Sequence, residues 1–183
     1  MQKVNRGSSI PIHKIYRAYT PPINAEQVVL NLLRSVPEKF LRGLSCIVLT
    51  NQAGLSRKHR VGKVWRRDKK ISKDKIAGLY HPRWQGEPPW IELYVDRIFL
   101  SARRAPLWIP FVRDTVLGIV LYHELGHHIH YEIRPQYEEK EDAADNWSQR
   151  LILNHVKQTY WYLMPILVPA AKLYRLLKRR PKN

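Results

Sequence analysis

The chain is short of cysteine, of acid and of long apolar runs, and each shortage removes a class of protein. One residue of 183 is cysteine, Cys46, which excludes an internal disulfide framework and a zinc site made of cysteines. Asp and Glu number 15 against 32 Lys and Arg, a formal charge of +17. Such a surface is attracted to an anionic partner: nucleic acid, a membrane face or an acidic protein. The first thirty residues hold no apolar stretch like that of a secretory leader, so the expected compartment is the cytoplasm. The longest uncharged apolar run, 160–171 (YWYLMPILVPAA), has twelve residues and two prolines, whereas a spanning helix needs about 20. It is expected not to cross a bilayer.

What remains is enough for one core: 44% of the residues are apolar, and the length suits one domain. Residues 1–23 read as a basic, proline-containing arm, 24–160 as the folded domain, and 161–183 as an apolar and then basic tail. Asn24 stands where a cap belongs, ahead of helical spacing at Val28, Val29, Leu32 and Leu33. Residues 44–50 (LSCIVLT) read as a strand, and so do 78–81 and 90–96 on either side of a turn at 86–89. Along 90–96 (WIELYVD), Ile91, Leu93 and Val95 alternate with Trp90, Glu92 and Tyr94, the second set facing away from the core. Residues 56–75 carry ten Lys or Arg and few apolar positions, which predicts an exposed loop or hairpin. The strongest helical pattern is 111–131, with Val112, Val116, Ile119, Val120, Leu121 and Leu125 as its buried stripe and Pro110 in the first turn. A second helix is expected over about 137–160, with Ala143, Ala144, Trp147, Leu151, Ile152 and His155 on related faces.

Chemistry enters at residues 123–127, His-Glu-Leu-Gly-His. Helix positions i and i+4 lie one above the other, so His123 and His127 can grip one ion. Glu124 projects about 100° around the helix from His123. It therefore lies beside the ion, placed to take a proton from a water molecule in the remaining coordination position.

The third ligand has to come from another segment, and 138–147 (EEKEDAADNW) is rich in candidates. Glu141 and Asp145 are four apart and share a face: Glu141 can bind the metal while Asp145 accepts the second ring N–H of a ligating histidine and sets its tautomer. Glu138 and Asp142 have the same spacing, so register alone does not choose between them. Ala143 and Ala144 allow this helix to come close to the first. His130, seven residues after His123, is a substitute ligand on spacing, set against the plainer reading of a solvated histidine at a helix end.

At these residues the chain resembles the ImmA/IrrE-type zinc metallopeptidases, gluzincins of a minimal kind. Glu141, Ala144, Asp145, Trp147 and Ser148 stand where that family's second motif has its glutamate, alanine, acid or amide, aromatic and small residues. The resemblance favours Glu141 over Glu138. It implies an α+β fold, zincin-like (minigluzincin) in kind: a single domain with a small sheet, an active-site helix and a glutamate helix. It also implies a zinc-dependent endopeptidase acting on a protein or peptide, with Zn2+ on His123, His127 and Glu141, Glu124 as general base and Asp145 behind the ligands. In such folds an edge strand aligns extended substrate, and WIELYVD is the expected one. Tyr80, Tyr131, Tyr137 and His155 are donors that could stabilise a transition state, and none is assigned.

The basic segments suggest further partners. Arg57, Lys58, Arg60, Lys63, Arg66, Arg67, Lys69 and Lys70 surround Trp65, an arrangement suited to phosphates and a stacked base. Lys172, Arg175, Lys178, Arg179, Arg180 and Lys182 follow the apolar run, as in segments that lie on an anionic membrane surface. The alternative to the peptidase is a nucleic-acid-binding or interaction module whose zincin site is structural or degenerate.

Overall fold

A computed structural model describes residues 10–54, 63–66, 69–72, 76–133, 140–166 and 169, with backbone alone for 63–66 and 69–72. Glu138, Tyr137, the side chains of the basic 57–70 segment and the tail beyond 169 lie outside the described residues.

The mixed α+β architecture begins with a β-α-β unit. Ile12–Ile15 (β1) runs parallel to Ile47–Thr50 (β2), and Ala25–Arg34 (α1) lies between them in the chain. Parallel neighbours need such a crossover, because a tight turn can only reverse the chain. The expected arm therefore contributes a strand to the sheet, ordered by backbone pairing that its composition does not announce. Asn24 caps α1 as its position predicts, its side-chain oxygen accepting from Gln27 N at 3.1 Å.

The sheet has the order β1-β2-β6-β5, where β5 is Gly78–His81 and β6 is Trp90–Tyr94; β6 is parallel to β2 and antiparallel to β5. The basic segment forms the antiparallel hairpin Lys63–Arg66 (β3) and Lys69–Ser72 (β4). The chain then turns helical at Val95–Ser101 (α2), one residue after β6 ends. WIELYVD is thus shorter than expected and is not an edge strand. It lies between β2 and β5, and the edges of the sheet are β5 and β1. Glu92 and Tyr94 are buried as well, because Tyr94 Oη–H donates to Glu92 Oε2 at 2.9 Å and His81 Nε2 lies 3.2 Å from that oxygen. Burial, and then the Glu92 carboxylate, push the Tyr94 phenol well above its ordinary range.

The other face of the sheet carries Ile47, Leu49, Ile91 and Leu93, which join Leu32, Leu117, Leu121 and Leu125 in one core. Each fully buried side chain of this size contributes about 1.5–3 kcal/mol relative to its exposed form. Pro110–His128 (α3) begins on the expected proline, and Lys140–Thr159 (α4) packs along it. The buried stripe of α3 runs through Leu117, Leu121, Tyr122 and Leu125 rather than the full set expected. Ile119 is 53% exposed, because α4 and α1 approach at Gly118: a Cβ there would meet Ile152 Cδ1 at 2.9 Å and Leu32 Cδ2 at 3.2 Å.

A buried polar cluster ties the N-terminal half of α3 to α1 and to the end of α4. Asp114 Oδ2 accepts from Tyr160 Oη at 2.7 Å and lies 3.5 Å from His155 Nε2. His155 Nδ1 is 3.1 Å from Ser35 Oγ, and Asn154 Nδ2 donates to Ser35 O at 2.8 Å. Burial alone would raise the Asp114 pKa, but the nearby His155 ring and hydrogen bonds from Tyr160 and Arg113 outweigh it and hold the carboxyl below its usual range. A group lowered in this way contributes its stability in full above the unfolded value of about 3.9, and loses it as pH falls through the folded value. Wild type should therefore lose stability to urea below about pH 4, and Asp114→Asn, weaker at neutral pH, should show a shallower acid loss. Equal acid slopes for the two proteins would remove Asp114 from the account.

Candidate metal centre

Helical geometry first brings His123 and His127 together. One turn apart on α3, their rings stand 4.9 Å apart between centroids and nearly perpendicular, at 88°. The rest comes from α4, whose approach depends on Gly126. A Cβ at that position would lie 2.7 Å from Ala144 O and 2.8 Å from Ala144 Cα, so the backbones touch where the sequence places Gly against Ala. Glu141, one turn before Ala144 on α4, then reaches over both rings.

Glu141 Oε2 is 3.6 Å from His123 Nε2, and Oε1 is 3.6 Å from His127 Nε2. One donor atom each from His123, His127 and Glu141 lies within 4.8 Å of the others. Two donors at 2.1 Å from a tetrahedral ion are about 3.4 Å apart, so the three are spaced as ligands of one cation would be. Asp145 Oδ1 lies 2.9 Å from His123 Nδ1. That contact places the ring proton on Nδ1 and turns the Nε2 lone pair toward Glu141 and His127. The donor set of two imidazoles and a carboxylate therefore fits a divalent metal ion. His130 is buried at the end of α3, in the π-helical turn Ile129–Ile133, and is not one of the three converging groups. It is neither the expected solvated histidine nor part of the cluster.

Glu124 is buried beside the cluster and is held from the sheet. Tyr80 N–H donates to Glu124 Oε2 at 2.8 Å. Since Tyr94 N donates to Ala77 O, alternation along an antiparallel pair turns the backbone groups of Gly78 and Tyr80 away from β6 and toward α3. Gly78 makes this approach possible, because a Cβ there would lie 2.7 Å from Val120 Cγ1 and 2.8 Å from Glu124 Cγ.

Sequence reading did not anticipate the contact from β5 or the role of His128. His128 is fully buried, with Nε2 donating to Arg42 O at 3.0 Å and Nδ1 3.4 Å from the Tyr80 hydroxyl. Burial pulls its pKa down, against the opposing effects of the Arg42 carbonyl and Glu132, and with Nε2–H given to the Arg42 carbonyl the Nδ1 atom faces the Tyr80 hydroxyl. Of the four donors left unassigned, Tyr80 is engaged in this way, and His155 sits in the Asp114 cluster. Tyr131 is exposed and stacked 5.9 Å from Tyr80. A signal for His128 did exist, in a histidine on the strongest apolar helix pattern, but nothing local named its partner 86 positions away.

The contact between Asp145 and His123 has a measurable consequence. Asp145→Ala should weaken metal affinity by about 10–100-fold in competition with a chromophoric chelator, while the melting temperature of the metal-free protein stays near wild type. Unchanged affinity would reduce the 2.9 Å contact to a surface ion pair. No family model, curated protein or solved structure matches this chain.

Proposed function

We propose that the chain is a zinc-dependent endopeptidase of the minimal gluzincin kind, acting on a protein or peptide substrate. The observation that carries the reading is the convergence of His123, His127 and Glu141 on one point, with Asp145 behind His123 and Glu124 alongside. Two nitrogen donors and one oxygen donor suit zinc, and three protein ligands leave the open position that separates catalytic sites from structural ones. His123, His127 and Glu141 would hold the ion. When bound, zinc supplies Lewis-acid polarisation of a carbonyl and makes water acidic enough to lose a proton near neutral pH.

The remaining chemistry belongs to the chain. Glu124 takes the proton from the attacking water and delivers it to the leaving amine, one carboxylate serving as base and then as acid. Tyr80 N–H holds Oε2, so the carboxylate is oriented before substrate arrives. Among the described residues no strand pairs with the far side of β5, where Tyr80 N–H is already taken by Glu124. An extended peptide laid along that edge would run past Glu124 and use the outward backbone groups of β5 other than Tyr80 N–H, an alignment that does not depend on side chains. The substrate strand is thus assigned to β5, in place of the WIELYVD strand that the sequence suggested.

The test is to measure metal content and peptide hydrolysis together, on wild type and on Glu124→Gln. Zinc bound by both with hydrolysis in wild type alone supports the peptidase. No zinc in either, with salt-sensitive nucleic-acid binding as the sole activity, would replace it with the interaction module.

A further inference from the structure

At the end of the α3/α4 pair remote from the metal centre, four large apolar side chains face solvent: Trp108 at 82% exposure, Trp161 at 70%, Ile166 at 69% and Tyr162 at 57%. They belong to one end of the molecule, because Phe111 in the first turn of α3 meets Tyr160 edge-on at 5.4 Å, and Tyr160 meets Tyr162 at 6.3 Å. Arg103 and Arg104, both exposed, precede Trp108 in the loop that leads into α3. Beyond Ile166 the sequence stays uncharged to Ala171, and residues 172–183 then hold six Lys or Arg and no acid. In those residues Leu173, Leu176 and Leu177 are interleaved with Lys172, Arg175, Lys178 and Arg179, the alternation of an amphipathic interfacial segment.

We infer that this end is a membrane-docking surface, whose occupant is the interface of an anionic lipid bilayer. Trp and Tyr are the side chains favoured at headgroup depth, where an apolar ring and a polar N–H or O–H are both satisfied. Cations alone would suit any polyanion. Trp161, Tyr162 and Ile166, exposed where the chain leads into that basic sequence, favour a surface with an apolar interior over a phosphate backbone. No helix among the described residues is long and apolar enough to cross a membrane, so the mode is attachment to one leaflet. About 24 Å of α3 separates Phe111 from His127, which holds the metal centre clear of the lipid. The inference stands independently of what the metal centre does.

The test is flotation of the full chain with phosphatidylcholine vesicles prepared with and without phosphatidylglycerol. Binding is expected to the anionic vesicles only and to fall as salt rises. Lys178→Gln combined with Arg179→Gln and Arg180→Gln should weaken it by about a hundredfold, from the worth of three surface cations. Trp108→Ala with Trp161→Ala should weaken it by about tenfold or more without moving the melting temperature, since both rings are exposed. A blue shift of fluorescence on adding vesicles, smaller in Trp161→Phe, reports insertion of that ring. Equal flotation with neutral and anionic vesicles, or none with either, overturns the inference. So does binding that is indifferent to the tryptophan variants and competed away by duplex DNA, which makes the basic tail a nucleic-acid surface.

Discussion

Glu124→Gln is expected to leave the zinc in place and to lower hydrolysis by about 10²–10⁴-fold, the usual worth of a positioned acid-base group. Gln keeps the length and shape of Glu, and its side-chain oxygen can still accept from Tyr80 N–H, which lies 2.8 Å from Oε2. The variant should therefore fold and melt like wild type. It lacks a group that can carry a proton from water to an amine. The loss should appear in kcat with little change in KM, because Glu124 acts on the transition state and not on ground-state binding. A variant that retained both metal and full turnover would end the assignment of Glu124, and a variant that lost the metal would make Glu124 part of the ligand set.

Gly126→Ala is the second substitution with a large expected effect, and its sign is the unusual part. In an exposed helix the change stabilises by about 1 kcal/mol, since Gly is a poor helix former. Here the added Cβ would meet backbone atoms of Ala144 at 2.7 and 2.8 Å, and backbone cannot rotate aside. α4 must shift, and overpacking of this kind costs about 1–3 kcal/mol. For a chain of this size that predicts a fall in melting temperature of several degrees, about 2–4 °C per kcal/mol. The larger consequence is chemical. Glu141 and Asp145 ride on the displaced helix, and a misplacement of about 1 Å in a catalytic group can cost about a hundredfold in rate. Loss of activity out of proportion to loss of stability is the expected signature, measured as kcat/KM at a temperature well below the transition. A melting temperature raised above wild type would show that the helices do not touch where Gly126 meets Ala144.

The parts of this architecture that sequence reading reaches are those set by helical repeat. Asn24 as cap, Pro110 at the start of α3, the one-turn pairing of His123 with His127 and that of Glu141 with Asp145 all follow from neighbours three or four positions apart. The approach of the two helices is legible too, in Ala143 and Ala144, although nothing local marks Gly126 as the residue they meet. What escaped lies in pairings between distant segments. β1 pairs with β2 across 35 positions, through backbone groups that every residue carries. WIELYVD has the alternation of a half-buried strand, and nothing in that alternation says whether a neighbour adds on one side or on both. Glu92 and Tyr94 are polar at their ends and yet buried, because each satisfies the other. The Tyr80 N–H that holds Glu124 has no side-chain signature at all. The same holds for the Asp114, His155 and Ser35 cluster, whose members come from three helical segments.

Tyr80 joins more of the molecule than its place in a four-residue strand suggests. Its amide is committed to Glu124, its hydroxyl to His128, and His128 in turn to the Arg42 carbonyl. The strand β5, the helix α3 that carries Glu124 and the loop after α1 are therefore cross-braced through one residue. A peptide bound there, as the proposed function requires, would meet a Glu124 carboxylate whose position was already set during folding, so little of its docking energy would go to rearranging the host.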